Sequence, residues 1–238
     1  MVMKRFDRCL IIFLKVVLLS LITTIAYGLT DKDLIPIIRQ YDEPCKTDYS
    51  AEGNYDLHPF EDPDTKLMGY RNKAGKLVIK PKFNKALTFS KLGIADVFIR
   101  PDKWYKIDLK GKILYQSYFF DNGPDYYVSE LMRVIENGKM GFANREGKIV
   151  IPPAFEYATP FAYSTPIAMV CKGCQEELPS KDQGGCRHAD MVGGKWGMIN
   201  STGEIIVPIE FDSFSTFEDG SVYFSKGDYV FRIYLKKK

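Results

Sequence analysis

The sequence predicts an all-β protein, an array of about four three-stranded antiparallel repeat units with a period of 36 residues, open and solenoid-like rather than closed into a propeller. Three observations carry that prediction. Gly75, Gly111, Gly147 and Gly203 stand 36, 36 and 56 residues apart, the last interval being one further period plus a 20-residue insertion. Asn72, Asp108, Asn144 and Asn200 precede these glycines by three residues, and Phe83, Phe119, Phe155 and Phe211 follow them by eight. Runs of β-favouring residues flank every one of the four turns.

Residues 1–28 read as a signal peptide. Lys4, Arg5 and Arg8 give a basic start, Leu10 to Ile25 is an apolar run broken by Lys15, and Ala26-Tyr27-Gly28 supplies small residues for cleavage. A membrane anchor needs about 20 unbroken apolar residues, which this run does not reach. Cys9 lies ahead of the apolar stretch, where it cannot be the acylated cysteine of a lipoprotein. The mature protein is therefore expected to be periplasmic or secreted, with no membrane attachment after cleavage.

The signal carries the charge imbalance. The whole chain has 33 basic and 30 acidic residues, and removing Lys4, Arg5, Arg8, Lys15 and Asp7 leaves 29 of each. A neutral mature chain has no basic field to attract nucleic acid or an anionic membrane. The Lys236-Lys237-Lys238 tail reads as a solvated terminus.

Residues 29–66 form a lead-in. Leu34-Ile35-Pro36-Ile37 followed by Tyr41-Asp42 is similar to Ile206-Val207-Pro208-Ile209 followed by Phe211-Asp212, with two extra residues, and so reads as a degenerate half repeat. The alternative is a short amphipathic segment capped by Thr30 or Asp31; a helix over Ile35 to Gln40 would exclude the repeat reading. Tyr41 to Lys66 is rich in Asp, Pro and Gly and reads as loop.

Residues 67–238 make the repeat domain. Before the turns stand Met68-Gly69-Tyr70, Trp104-Tyr105-Lys106, Met140-Gly141-Phe142 and Trp196-Gly197-Met198; after them stand Leu77-Val78-Ile79, Ile113-Leu114-Tyr115, Ile149-Val150-Ile151 and Ile205-Ile206-Val207. Asn or Asp at the turn can bond local backbone and Gly accepts positive φ, which is hairpin-loop chemistry. Pro81, Pro152 and Pro208 then stop pairing, and third strands are expected near Ile94 to Ile99, Leu131 to Ile135, Ile167 to Val170 and Ser221 to Phe224. The glycine in each Met/Trp-Gly pair is expected to allow close approach of another backbone. The recurring phenylalanines, joined by Phe89, Phe161 and Phe217, are expected to stack into a core.

This pattern resembles the WG-repeat family. Gly194-Lys195-Trp196-Gly197-Met198-Ile199-Asn200 through Val207-Pro208-Ile209-Glu210-Phe211-Asp212 is the best copy, and Gly138-Lys139-Met140-Gly141-Phe142 through Ile151-Pro152-Pro153-Ala154-Phe155-Glu156 is a second. The copy around Gly111 departs, with Trp104-Tyr105 for Trp-Gly and no proline. The resemblance spans residues 66 to 224 and implies a bacterial β-repeat architecture without implying an activity. Trp104 and Trp196 are candidates for a sugar-stacking surface, although repeat-equivalent aromatics generally pack inside.

The insertion enters as a Cys-rich loop, residues 171–193. With the signal removed, Cys45, Cys171, Cys174 and Cys186 are an even set in an exported chain and read as disulfide candidates. The alternative is zinc on Cys171, Cys174, Cys186 and His188, three thiolates and an imidazole within 18 residues. A third reading, a Cys171-Cys174 redox pair, lacks the helix start that lowers a thiol pKa.

Other chemistry lacks its parts. The chain has two histidines, His58 and His188, and no Gly-x-Ser-x-Gly, His-Glu-x-x-His or Gly-rich phosphate loop. The carboxylates of Glu61-Asp62-Pro63-Asp64 and Glu176-Glu177 read as solvated loops, and Asn200-Ser201-Thr202, a glycosylation sequon, is also a hairpin turn. The sequence therefore points to a non-enzymatic binding or scaffold protein of the cell envelope, without a cofactor, whose partner is a protein or a wall glycan. The competing reading is a metal- or thiol-dependent periplasmic enzyme using the insertion.

Overall fold

A computed structural model describes residues 35–41, 56–120, 123–162, 165–177, 190–216 and 221–237. The protein is all-β. The described residues group into two compact units, a larger one within 40–172 and 196–209 and a smaller one within 35–39, 173–195 and 210–236. The signal peptide expected over 1–28 lies outside the described residues, as do Cys45, Cys186, His188 and Phe217.

The strands follow the predicted hairpins. β1 (Ile35–Tyr41) and β2 (Leu57–Glu61) precede the first hairpin, β3 (Met68–Asn72) and β4 (Leu77–Phe83), which continues into β5 (Lys85–Ala86). Next come β6 (Ala95–Ile99), β7 (Lys103–Ile107), β8 (Ile113–Ser117) and a small hairpin, β9 (Phe119–Phe120) with β10 (Gly123–Pro124). The third repeat supplies β11 (Leu131–Glu136), β12 (Lys139–Asn144), β13 (Ile149–Phe155) and β14 (Tyr157–Ala158). The last part comprises β15 (Ile167–Glu177), β16 (Asp190–Asn200), β17 (Ile205–Phe211), β18 (Ser213–Thr216), β19 (Val222–Lys226) and β20 (Tyr229–Lys237). The segment at Ile35 is a strand, so the helical alternative for the lead-in falls.

The four hairpin turns share one construction. Each turn glycine has φ between 75° and 85° and donates its N–H to the carbonyl of the Asn or Asp three residues back, at 2.8 to 3.0 Å. The side-chain oxygen of Asn72, Asp108, Asn144 or Asn200 accepts the N–H of Lys76, Lys112, Lys148 or Glu204 at 2.9 to 3.0 Å. An L-residue with a Cβ is strained at such a φ, so the glycine is required. Asn200 is buried and also bonds Thr202 and Glu204, which accounts for the sequon as turn.

Hydrogen bonding does not respect the repeat boundary. The third strand of one repeat pairs with the first hairpin strand of the next, as β6 pairs with β7 and β11 with β12. The second hairpin strand bends and gives its end to the following sheet, where β5 pairs with β6 and β14 with β15. The sheets are thus β2-β3-β4, β5-β6-β7-β8 fused to β11-β12-β13 as seven strands, β14-β15-β16-β17, and β18-β19-β20-β1, with β9-β10 apart. Among the described residues they do not close into a barrel or propeller. Antiparallel sharing of this kind ties each repeat to its neighbour through backbone bonds as well as side chains.

Turn glycines also seat the repeats. A Cβ on Gly111 would meet the Ile79 side chain at 2.8 Å, one on Gly147 would meet Ile94 and Leu114 at 2.9 Å, and one on Gly203 would meet Ile151 at 3.2 Å. Each of these three turns therefore rests on aliphatic side chains of earlier repeats, which a Cβ would crowd. The buried aromatics pair within repeats, Tyr70 with Phe89 at 4.8 Å and Phe142 with Phe161 at 4.7 Å, so the core is a set of clusters instead of one continuous stack.

Candidate functional site

The Met/Trp-Gly positions behave as the sequence suggests in three repeats. A Cβ on Gly69, Gly141 or Gly197 would lie 2.4 to 2.6 Å from the carbonyl oxygen of Ile79, Ile151 or Val207. The second strand bulges over the glycine: Met68 opposes Phe83 and Tyr70 opposes Ile79, two residues against four. The same bulge carries Pro152 and Pro153 between Met140-Phe155 and Phe142-Ile151. The bulges sit on β4 and β13 and the prolines on β4, β13 and β17, the outer strand of its sheet in each case, where a missing N–H breaks no ladder.

The second repeat is built differently. Tyr105 stands in place of the glycine and the pairing there is regular, Trp104 to Ser117, Tyr105 to Gln116 and Lys106 to Tyr115. Without proline, Gln116 and Ser117 pair with Ile135 and Val134, which is the seam that fuses the seven-stranded sheet.

Its interior is polar. Lys106 occupies the position of Tyr70, Phe142 and Met198, is buried, and binds Asp96 at 2.8 Å. Asp125 occupies the position of Phe89 and Phe161, is buried, and holds Arg133 through two 2.8 Å bonds to Nε and Nη2 and a 3.0 Å bond from the Arg133 backbone. The guanidinium lies 4.3 Å from the Tyr118 ring. Burial works against the charge of Arg133, and the bonds and charge of Asp125 outweigh it, raising its pKa. Tyr115 and Tyr127 are both pushed well above the usual phenol range, Tyr115 by burial and then by Tyr127, Tyr127 by burial and then by Asp96. Arg145 pairs with Glu130 at 2.8 Å and lies over the Tyr127 ring. The charges of the cluster are paired, Lys106 with Asp96, Arg133 with Asp125 and Arg145 with Glu130.

The two tryptophans lie inside. Trp104 is 5% and Trp196 6% exposed, packed on Phe98 and Tyr157 respectively, so neither indole offers an open face to a sugar ring. The insertion is not a loop from residue 171, because β15 runs on to Glu177 and β16 starts at Asp190. Gly173 and Gly194, both with positive φ, face each other across that hairpin, with a Cβ on Gly173 only 3.7 Å from the Gly194 Cα. That pairing extends both strands into the region the sequence assigned to loop. Cys171 and Cys174 are buried and disulfide-bonded, so neither sulfur is a thiolate available to zinc in this state. Among the described residues no three His, Cys, Asp or Glu side chains gather as a metal site. His58 is exposed on β2, opposite Arg71.

The surface carries a feature that sequence reading missed. The residue two after each turn glycine is an exposed aliphatic: Leu77 at 45%, Ile113 at 43%, Ile149 at 40% and Ile205 at 51%. Val78 and Val150 beside them are exposed too. The period that marks the turns also marks this stripe, but strand alternation places these residues inside as readily as outside, and only the folded sheets settle which.

Fold and turns together define a β-repeat protein. Three stretches of it, residues 68–104, 140–173 and 196–229, match the family model of the WG containing repeat. The matched stretches hold the turns at Gly75, Gly147 and Gly203, and the divergent turn at Gly111 lies between the first two. No curated protein matches the chain.

Proposed function

We propose that the protein is a non-enzymatic binding module of the cell envelope, and that the stripe Leu77, Ile113, Ile149 and Ile205 is where it takes a protein partner. The observation that carries this reading is the recurrence of an exposed aliphatic at one register position in all four repeats. Scattered surface hydrophobics are ordinary, whereas exposure of an aliphatic at the same register position of every repeat is a repeated feature that a partner can read. Aliphatic side chains suit a protein surface; a glycan calls for exposed aromatic faces, and both indoles are buried. The Cys171-Cys174 disulfide agrees with an oxidising compartment outside the cytoplasm.

The test is photocrosslinking in living cells from a benzophenone residue at Ile113, Ile149 or Asp102. Crosslinks to the same protein from both stripe positions and none from Asp102 are expected. Equal crosslinking at all three, or none at the stripe, would refute the reading.

A further inference from the structure

The sheet β18-β19-β20-β1 repeats the order of β14-β15-β16-β17 and of β5-β6-β7-β8. In those two sheets the last two strands are the hairpin strands joined by an Asn/Asp-x-x-Gly turn. In the fourth sheet the same two places are held by β20 and by β1, from opposite parts of the sequence. β20 enters as a first hairpin strand does: a two-residue turn, Gly227-Asp228, joins it to β19, as Asn137-Gly138 joins β12 to β11, and each turn has a left-handed glycine. β1 has the sequence of a second hairpin strand, Ile35-Pro36-Ile37 with Tyr41-Asp42 beside Val207-Pro208-Ile209 with Phe211-Asp212. It is also the outer strand of its sheet and carries a proline, as β4, β13 and β17 do.

We propose that β20 and β1 are the two strands of a further repeat divided across the chain, so that the edge of β20 is a docking surface whose occupant is the Ile35–Tyr41 segment. Pro36 then stands where Pro152 and Pro208 stand, and Ile37 where Pro153 stands in the bulge of β13, a place that takes a proline while the strand stays paired on either side.

Hydrogen exchange tests this. Deleting residues 35–41 should speed exchange over residues 229–237 by at least about tenfold, because it removes the ladder on that edge, while Ile37→Pro in the full chain, which copies Pro153 of β13, should change it by less than about twofold. Both variants should leave 139–155 protected. No effect of the deletion, an effect of Ile37→Pro equal to that of the deletion, or loss of protection over 139–155 as well would each overturn the proposal, the last by making β1 part of the general core and not an occupant of one edge.

Discussion

The second and third repeats occupy neighbouring places in one seven-stranded sheet and solve its edge in opposite ways. In the third, Gly141 lets β13 bulge across β12, and Pro152-Pro153 in that bulge leave the outer edge unable to pair. In the second, Tyr105 fills the glycine position, β8 runs in regular register, and its free edge accepts β11. The glycine and the proline are therefore two parts of one edge-blocking device, lost together. Their loss joins two repeats by backbone bonds, and ion pairs take the core places that aromatics hold elsewhere.

The largest effect should come from unbalancing that polar interior. Asp125→Ala leaves the guanidinium of Arg133 buried without its carboxylate and should cost about 3–5 kcal/mol in urea unfolding. Replacing both, as Asp125→Leu with Arg133→Met, should recover most of the loss, because two desolvated charges disappear together. Equal destabilisation by the single and double variants would show that the pair positions the loop and is not merely balancing charge.

Converting the second repeat to the form of the third is the next test. Tyr105→Gly with Gln116→Pro places glycine and proline where Gly141 and Pro152 stand, and should cost about 3 kcal/mol through the lost β8-β11 ladder. Exchange over 131–136 should accelerate while 139–144 stays protected. Gly141→Ala tests the reverse direction and should cost about 1–3 kcal/mol, since the new methyl meets the Ile151 carbonyl oxygen at 2.4 Å. Tyr105→Ala should lack that clash.

Alkaline titration gives the smallest and most local effect. Tyr115 and Tyr127 are held neutral in the fold, so their contribution is complete below about pH 10, where the unfolded phenol ionises, and is lost as pH rises above that value. Tyr115→Phe should shift the alkaline unfolding midpoint upward relative to its own stability at pH 7, followed by circular dichroism. No change in the pH dependence would place the alkaline sensitivity elsewhere.

Much of this comparison could be read from residues alone. The turn glycines and their Asn or Asp partners recur because each hairpin needs the same local bonds, which sequence records directly. Lys106 and Asp125 also show themselves by breaking register, standing where Tyr70, Phe142, Phe89 and Phe161 stand. Their partners do not: Asp96 comes from β6 of the preceding repeat, and Arg133 meets Asp125 only when the loop between β10 and β11 folds back on its own repeat. Pairing across repeat boundaries hid the fusion of two sheets, and the two long strands of the insertion depend on glycines meeting across a hairpin. The surface stripe needed exposure, which a period cannot supply.

The pairing of β1 with β20 also bears on the order of assembly. Each Asn/Asp-x-x-Gly hairpin closes a loop of a few residues and can form as soon as it is made. The sheet holding β1 joins one of the earliest strands synthesised to one made nearly a whole chain length later. Its completion is a long-range closure, slower than any local hairpin. Until then the N-terminal strand waits unpaired.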